Sequence, residues 1–82
     1  MQQVQRDSVQ EALGDRMRDL RKKQGFSQEA FADHCGLHRT AVSLIERGER
    51  VPSLITLVTI SRGFGISVSE FLRGVDKGVA KR

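Results

Sequence analysis

The sequence predicts a single all-α domain of five short helices. Two observations lead there. Apolar residues recur at helical spacing through most of the 82-residue chain, and glycines and hydroxyl residues able to cap helices fall between those segments. The chain is long enough for one small domain, in which limited burial leaves stability marginal. Residues 1–7 and 74–82 read as loose ends, the second a basic tail, around an ordered domain of residues 8–73.

The first helix is expected from about Val9 to Gln24, with Ser8 as its cap and Gly25 as its stop. Leu13, Met17 and Leu20 form its buried stripe, and Arg16, Arg18, Lys22 and Lys23 make the opposite side basic. The second follows Ser27 and runs to Cys35, where Gly36 ends it; Phe31, Ala32 and Cys35 share its apolar side. A tight turn through Gly36 and Leu37 leads to the third, about Arg39 to Arg47, with His38 at the capping position and Gly48 as its end. In the fourth, local propensity and pattern disagree. Residues 54–60, LITLVTI, are rich in β-branched side chains that favour a strand. Leu54, Leu57, Val58, Ser61 and Phe64 nevertheless fit a helical stripe, Ser53 can cap it, and an isolated strand would lack a partner. The fifth opens on Ser67-Val68-Ser69-Glu70, a capping box, with Phe71 and Leu72 as its apolar side.

A net charge of +4 favours an anionic partner such as nucleic acid or an acidic membrane. The single cysteine, Cys35, excludes an intrachain disulfide and suits a reducing compartment. The polar N-terminus does not look like a signal peptide, and no apolar run reaches membrane-spanning length, so a cytoplasmic protein with no membrane partner is expected. With no Trp or Tyr, single-strand binding by base stacking is poorly supplied. His34, Cys35 and His38 lie close together, but a structural zinc site needs four ligands and Cys35 falls on an apolar face. No metal or other cofactor is expected. No nucleophile motif or phosphate-binding loop is present, so no enzyme activity is expected either.

The third helix carries the functional signal. Successive helical residues turn by about 100°. Val42 and Ile45 therefore share one side, Glu46 lies at their edge, and Thr40, Ser43, Leu44 and Arg47 lie opposite, with Arg39 on the flank. Two helices of similar length joined by a glycine turn, the second with such an outer face, form a helix-turn-helix, whose second helix enters the DNA major groove. Arg39 can donate two hydrogen bonds to guanine, and Thr40, Ser43 and His38 are further candidates for base contact. Leu44 suits packing or shielding better than base reading. Gln28 and Ser27 stand at a helix N-terminus that favours a phosphate, and Lys22, Lys23, Arg47 and Arg50 are candidates for the flanking backbone.

Residues 13–72 resemble the helix-turn-helix family of phage Cro and repressor proteins, the Xre family. The matching pieces are MRDLR (17–21), GFSQEAFA (25–32), GLHRTAVSLIERG (36–48), PSL (52–54) and FGISVSEFL (64–72). The resemblance implies a five-helix, lambda-repressor-like domain that binds double-stranded DNA as a homodimer on a two-fold symmetric operator. It also implies a bonded pair, Arg21 with Glu46, beneath the recognition helix. The chain's length, with GLHRT followed by IERG, looks like the controller proteins of restriction–modification systems; Ala41 departs from their frequent aromatic. Ser61 and Gly63 depart from the family's preference for alanine and should weaken the fourth helix slightly. Dimerisation is expected on the fourth and fifth helices, with Ile55, Thr59, Ile66, Val68 and Phe71 as candidates. The alternative is an antitoxin or other protein-interaction module, against which the short basic tail argues. No residue pattern marks a surface for RNA polymerase or a toxin.

Overall fold

Hydroxyl caps and left-handed glycines divide the chain into helices at nearly every expected boundary. The computed structural model describes residues 6–78. Its elements are α1 (Arg6–Lys23), α2 (Gln28–Cys35), α3 (Arg39–Glu46), α4 (Leu54–Phe64), α5 (Val68–Phe71) and a short 3-10 helix (Val75–Lys77). Among the described residues there is no strand.

Ser27, Ser53 and Ser67 each take up an extended conformation and accept a hydrogen bond from the backbone N–H three residues on, at 3.0, 3.1 and 3.0 Å. Each thereby satisfies one of the donors that a helix start leaves free. Segment 54–60 is helical despite its β-branched content, because the cap at Ser53 and the packing of one face outweigh the local preference.

Helix α1 packs against α3 and the 3-10 helix, α2 against α3 and α4, and α4 against α5. The core between them contains Leu13, Met17, Phe31, Ala32, Val42, Ile45, Ile60, Phe64, Phe71 and Val75. Its centre is a run of rings. Phe31 stacks on Phe64 with centroids 4.3 Å apart, and Phe64 meets Phe71 at 5.8 Å. Burying such large apolar surfaces supplies much of the stability of a domain this small.

The fold differs from the expected one in four places. Helix α1 already includes Arg6, the first described residue, so Ser8 lies inside the helix instead of capping it. Val75 is buried against α1, so the core extends beyond residue 73 into the presumed tail; residues 1–5 and 79–82 lie outside the described residues. The buried stripe of α4 is Ile60, Ser61 and Phe64 with Leu57 beside it, and Leu54 stands exposed. The reason is position along the helix: Ser61, about 20° from Leu54 around the axis, is buried, whereas Leu54 stands in the first turn, at the end of α4 away from the rings gathered on Phe64. Finally, only half of the capping box forms. Glu70 gives its N–H to Ser67, but its carboxylate bonds Arg16 at 3.1 Å and Arg73 at 3.0 Å.

Candidate nucleic-acid interface

The turn between α2 and α3 follows from Gly36, whose φ of 71° lies in the left-handed region that costs glycine nothing. It allows the Leu37 N–H to reach Ala32 O at 2.8 Å, and Leu37 packs on the core as the chain reverses. His38 then takes the extended capping conformation but makes no side-chain capping bond, leaving its exposed ring free of that duty.

Helix α3 buries Val42, Ile45 and Glu46 and exposes Arg39, Thr40 and Arg47. Ser43, Leu44 and Ala41 are half-buried at the edges. No acidic residue occupies its first turn, so nothing there opposes an anionic ligand at the positive end of the helix dipole. Lys22, Lys23, Ser27 and Arg50 are exposed around it. Arg47 is exposed too, with its guanidinium 3.5 Å from Glu49.

Beneath α3 the acid that its sequence does contain is fully committed. The Glu46 side chain is 1% exposed and takes both Nε and Nη2 of Arg21, at 2.7 and 2.9 Å. The third nitrogen of Arg21 donates to Phe26 O at 2.9 Å. The hydrogen bond to Glu46 raises the Arg21 pKa from its ordinary value, against the opposing effect of burial. Gln28 adds a bond from its amide to Glu46 Oε1 at 3.1 Å. The side chain of Gln28 is thus turned toward α3, and what it leaves for a phosphate is the N-terminus of α2 itself.

Two basic residues assigned from sequence to a solvated face have internal partners. Arg16 donates to the backbone carbonyls of Phe71 at 3.0 Å and Glu70 at 2.8 Å, tying α1 to α5. Arg18 donates to Asp15 at 3.1 Å and to the backbone carbonyl of Glu46 at 2.7 Å. Beside Arg18, Gly14 brings the α1 backbone so close to Glu46 O and Ile45 O that a methyl group would overlap them. The available signal was spacing. Gly14, Arg18 and Arg21 recur at i, i+4, i+7 along α1, next to the apolar stripe.

The dimer candidates separate sharply. Phe71 is completely buried and belongs to the core, because α5 is too short to have an outward aromatic without losing its own anchor. Ile66, Val68 and Thr59 are half-buried; Ile66 packs on the core and the Thr59 hydroxyl donates to Ile55 O at 2.9 Å. Ile55, by contrast, is 74% exposed, and Leu54 beside it 69%. With Val51 they form the large apolar residues that face outward among the described residues.

His34 places Nε2 3.0 Å from Gly63 O, and Cys35 is a half-buried free thiol. Among the described residues no three His, Cys, Asp or Glu side chains gather where they could hold one metal ion, and no helix is long and apolar enough to cross a membrane.

Known proteins of this kind fall on the same geometry. The sequence model of a helix-turn-helix family matches residues 17–71. The control protein C.MunI from a Mycoplasma species is 44% identical over 66 residues, covering 79% of this chain and 89% of that protein. The crystal structure of the restriction–modification controller protein C.AhdI from Aeromonas hydrophila superposes with a TM-score of 0.73 at 35% identity, over 76% of this chain and 94% of that one. The controller protein C.Esp1396I, crystallised as a tetramer with its natural 35-base-pair operator, gives a TM-score of 0.74 at 28% identity, over 84% and 91% of the two chains. With its turn, its exposed second helix and these relatives, the chain belongs to the helix-turn-helix family of DNA-binding transcriptional regulators.

Proposed function

We propose that this protein is a controller-type regulator that binds a two-fold symmetric operator as a homodimer, with α3 of each copy in the major groove. It acts in the cytoplasm by binding alone, without catalysis. The observation that carries the reading is the division of α3. Its acid is buried and paired, while Arg39 and Thr40 stand exposed at its N-terminal end, where a recognition helix meets base edges.

Arg39, with Thr40, Ser43 and His38, reads bases. The N-terminus of α2 at Ser27 and Gln28, together with Lys22, Lys23, Arg47 and Arg50, holds phosphates and sets the register. Leu54 and Ile55, with Thr59 behind them, supply the contact between copies, and Ile66 and Val68 border it. Several relatives of similar length are controller proteins, and one controller protein was crystallised on an operator, which supports the same use here.

The test is selection from a randomised duplex pool followed by titration of the winning site against salt, with Arg39→Ala beside the parent. A two-fold symmetric site should emerge, and Arg39→Ala should cost about 1–3 kcal/mol of binding and relax one guanine position. Enrichment of no sequence, with all binding fading together as salt rises, would overturn the proposal.

A further inference from the structure

The end of α3 is closed by another helix. Of the carbonyls in its last turn, Ser43 O accepts from the Arg47 N–H at 3.0 Å, Leu44 O from Glu49 at 2.9 Å and Ile45 O from Gly48 at 3.0 Å. Glu46 O is reached instead by Nη2 of Arg18, 28 residues earlier in the chain, at 2.7 Å. Helix α3 has no basic residue of its own in that turn, so the guanidinium of Arg18 also supplies the positive charge that the negative end of a helix dipole favours. Asp15 steadies that guanidinium from below at 3.1 Å. Four residues back on the same face, Gly14 removes the one side-chain atom that would push α1 away from Glu46 O and Ile45 O.

These contacts differ in kind from the Arg21–Glu46 pair. That pair anchors a side chain at the base of α3, and rotation about the side-chain bonds leaves the helix some freedom to roll. Arg18 Nε also lies 3.9 Å from the Glu46 carboxylate, but its shortest contact, 2.7 Å to Glu46 O, and the close approach of Gly14 act on the helix backbone itself and set its distance and roll against α1. We infer that Arg18, working over Gly14, is a positioning residue for base recognition: it holds the carboxyl end of α3 so that Arg39 and Thr40 at the other end present to the groove in one orientation. Base reading depends on sub-ångström placement supported by such outer contacts. The inference rests on α3 being the recognition helix.

The experiment compares the full-length parent with Arg18→Met, which keeps the aliphatic stem, and Arg18→Lys, which keeps a donor and the charge. Each is titrated with the duplex selected by the parent and with an unrelated duplex of equal length, and each is melted without DNA. The expected result for Arg18→Met is a fall of about tenfold or more in the ratio of specific to non-specific affinity. Binding to the unrelated duplex and its salt slope should hold, and the melting temperature should fall by no more than about 8 °C. Arg18→Lys should recover part of the ratio, and Gly14→Ala, if it folds, should lose it as Arg18→Met does.

Four results would overturn the inference. Equal weakening on both duplexes, with a salt slope lower by about one, would make Arg18 a phosphate contact. A melting loss with the ratio unchanged well below the transition would make it structural only. A parent that prefers no duplex would remove the proposed function along with it, whereas a selective parent with an equally selective Arg18→Met would sink only the positioning role.

Discussion

Gly63 of α4 lies against the sulfur of Cys35 in α2, so closely that a methyl group on residue 63 would overlap Sγ. The ring of Phe31 adds carbons at 3.4 Å from the same point. The glycine that departs from the family's usual alanine is therefore matched to the cysteine across from it, and helix propensity is set aside for packing.

This gives a reciprocal prediction. Gly63→Ala alone should destabilise by about 1–3 kcal/mol through overpacking, although alanine is the better helix former. In a Cys35→Ala background the same change should be neutral or stabilising by up to about 1 kcal/mol, the propensity gain. Urea unfolding of the four proteins of the cycle measures the coupling; additive effects would mean that the two helices adjust without cost.

The Arg21–Glu46 pair predicts an asymmetry between breaking and replacing. Glu46→Ala leaves the buried guanidinium of Arg21 and the amide of Gln28 without their acceptor, and should cost about 3–5 kcal/mol in urea unfolding. Arg21→Met combined with Glu46→Leu should cost less than Glu46→Ala alone, because no charge is then stranded. A double variant less stable than the single one would contradict this account of the pair.

Two residues named from sequence as dimer candidates should behave oppositely. Phe71→Ala removes a ring buried against Phe64 and should destabilise the monomer fold by about 3–5 kcal/mol. Ile55→Glu changes a side chain that is mostly in solvent, and the isolated fold should tolerate it. Sedimentation equilibrium should then show that Ile55→Glu shifts the protein from dimer to monomer while its circular dichroism is unchanged. A dimer of undiminished strength would move the interface elsewhere.

Burial pushes the Cys35 thiol pKa up from its ordinary value. The folded state thus favours the neutral thiol. Stability from this source is complete below the pKa of the unfolded thiol, about 8.5, and is lost as pH rises through the folded value. The parent should accordingly lose stability relative to Cys35→Ala as the buffer is taken above about pH 9. Urea midpoints of the two proteins across that range would detect it; curves that stay parallel would mean that the thiolate is solvated in the folded protein.

Much of the fold was legible in the residues. Ser27, Ser53 and Ser67 cap, Gly36 stops, and the apolar positions of α1 to α3 turn inward as their spacing requires. These features act within a few residues, so a local reading captures them. The same reading took Leu54 as part of the buried stripe of α4, and it counted Phe71 among dimer candidates of which some had to be core, without telling which. Both are decided by which neighbours arrive: the core rings gather at the Phe64 end of α4, away from Leu54, and Phe64 packs on Phe71. It also placed Arg16 and Arg18 on a basic side opposite the buried stripe, because spacing can set Arg18 beside that stripe but cannot name an acceptor 28 to 55 residues away.

The sequence by itself determined the number and order of the helices, the glycine turn before α3, and the set of polar side chains that α3 turns outward. Those depend on backbone preference and on the 100° step of a helix, which every residue experiences locally. Beyond the Arg21–Glu46 pair that the family resemblance implied, only the tertiary structure decided how α3 is held: Gln28 joining that pair beneath it, its carboxyl end closed by Arg18, its approach to α1 permitted by Gly14. Each of those contacts joins two helices, and its strength depends on distances that exist only once the shared core has packed.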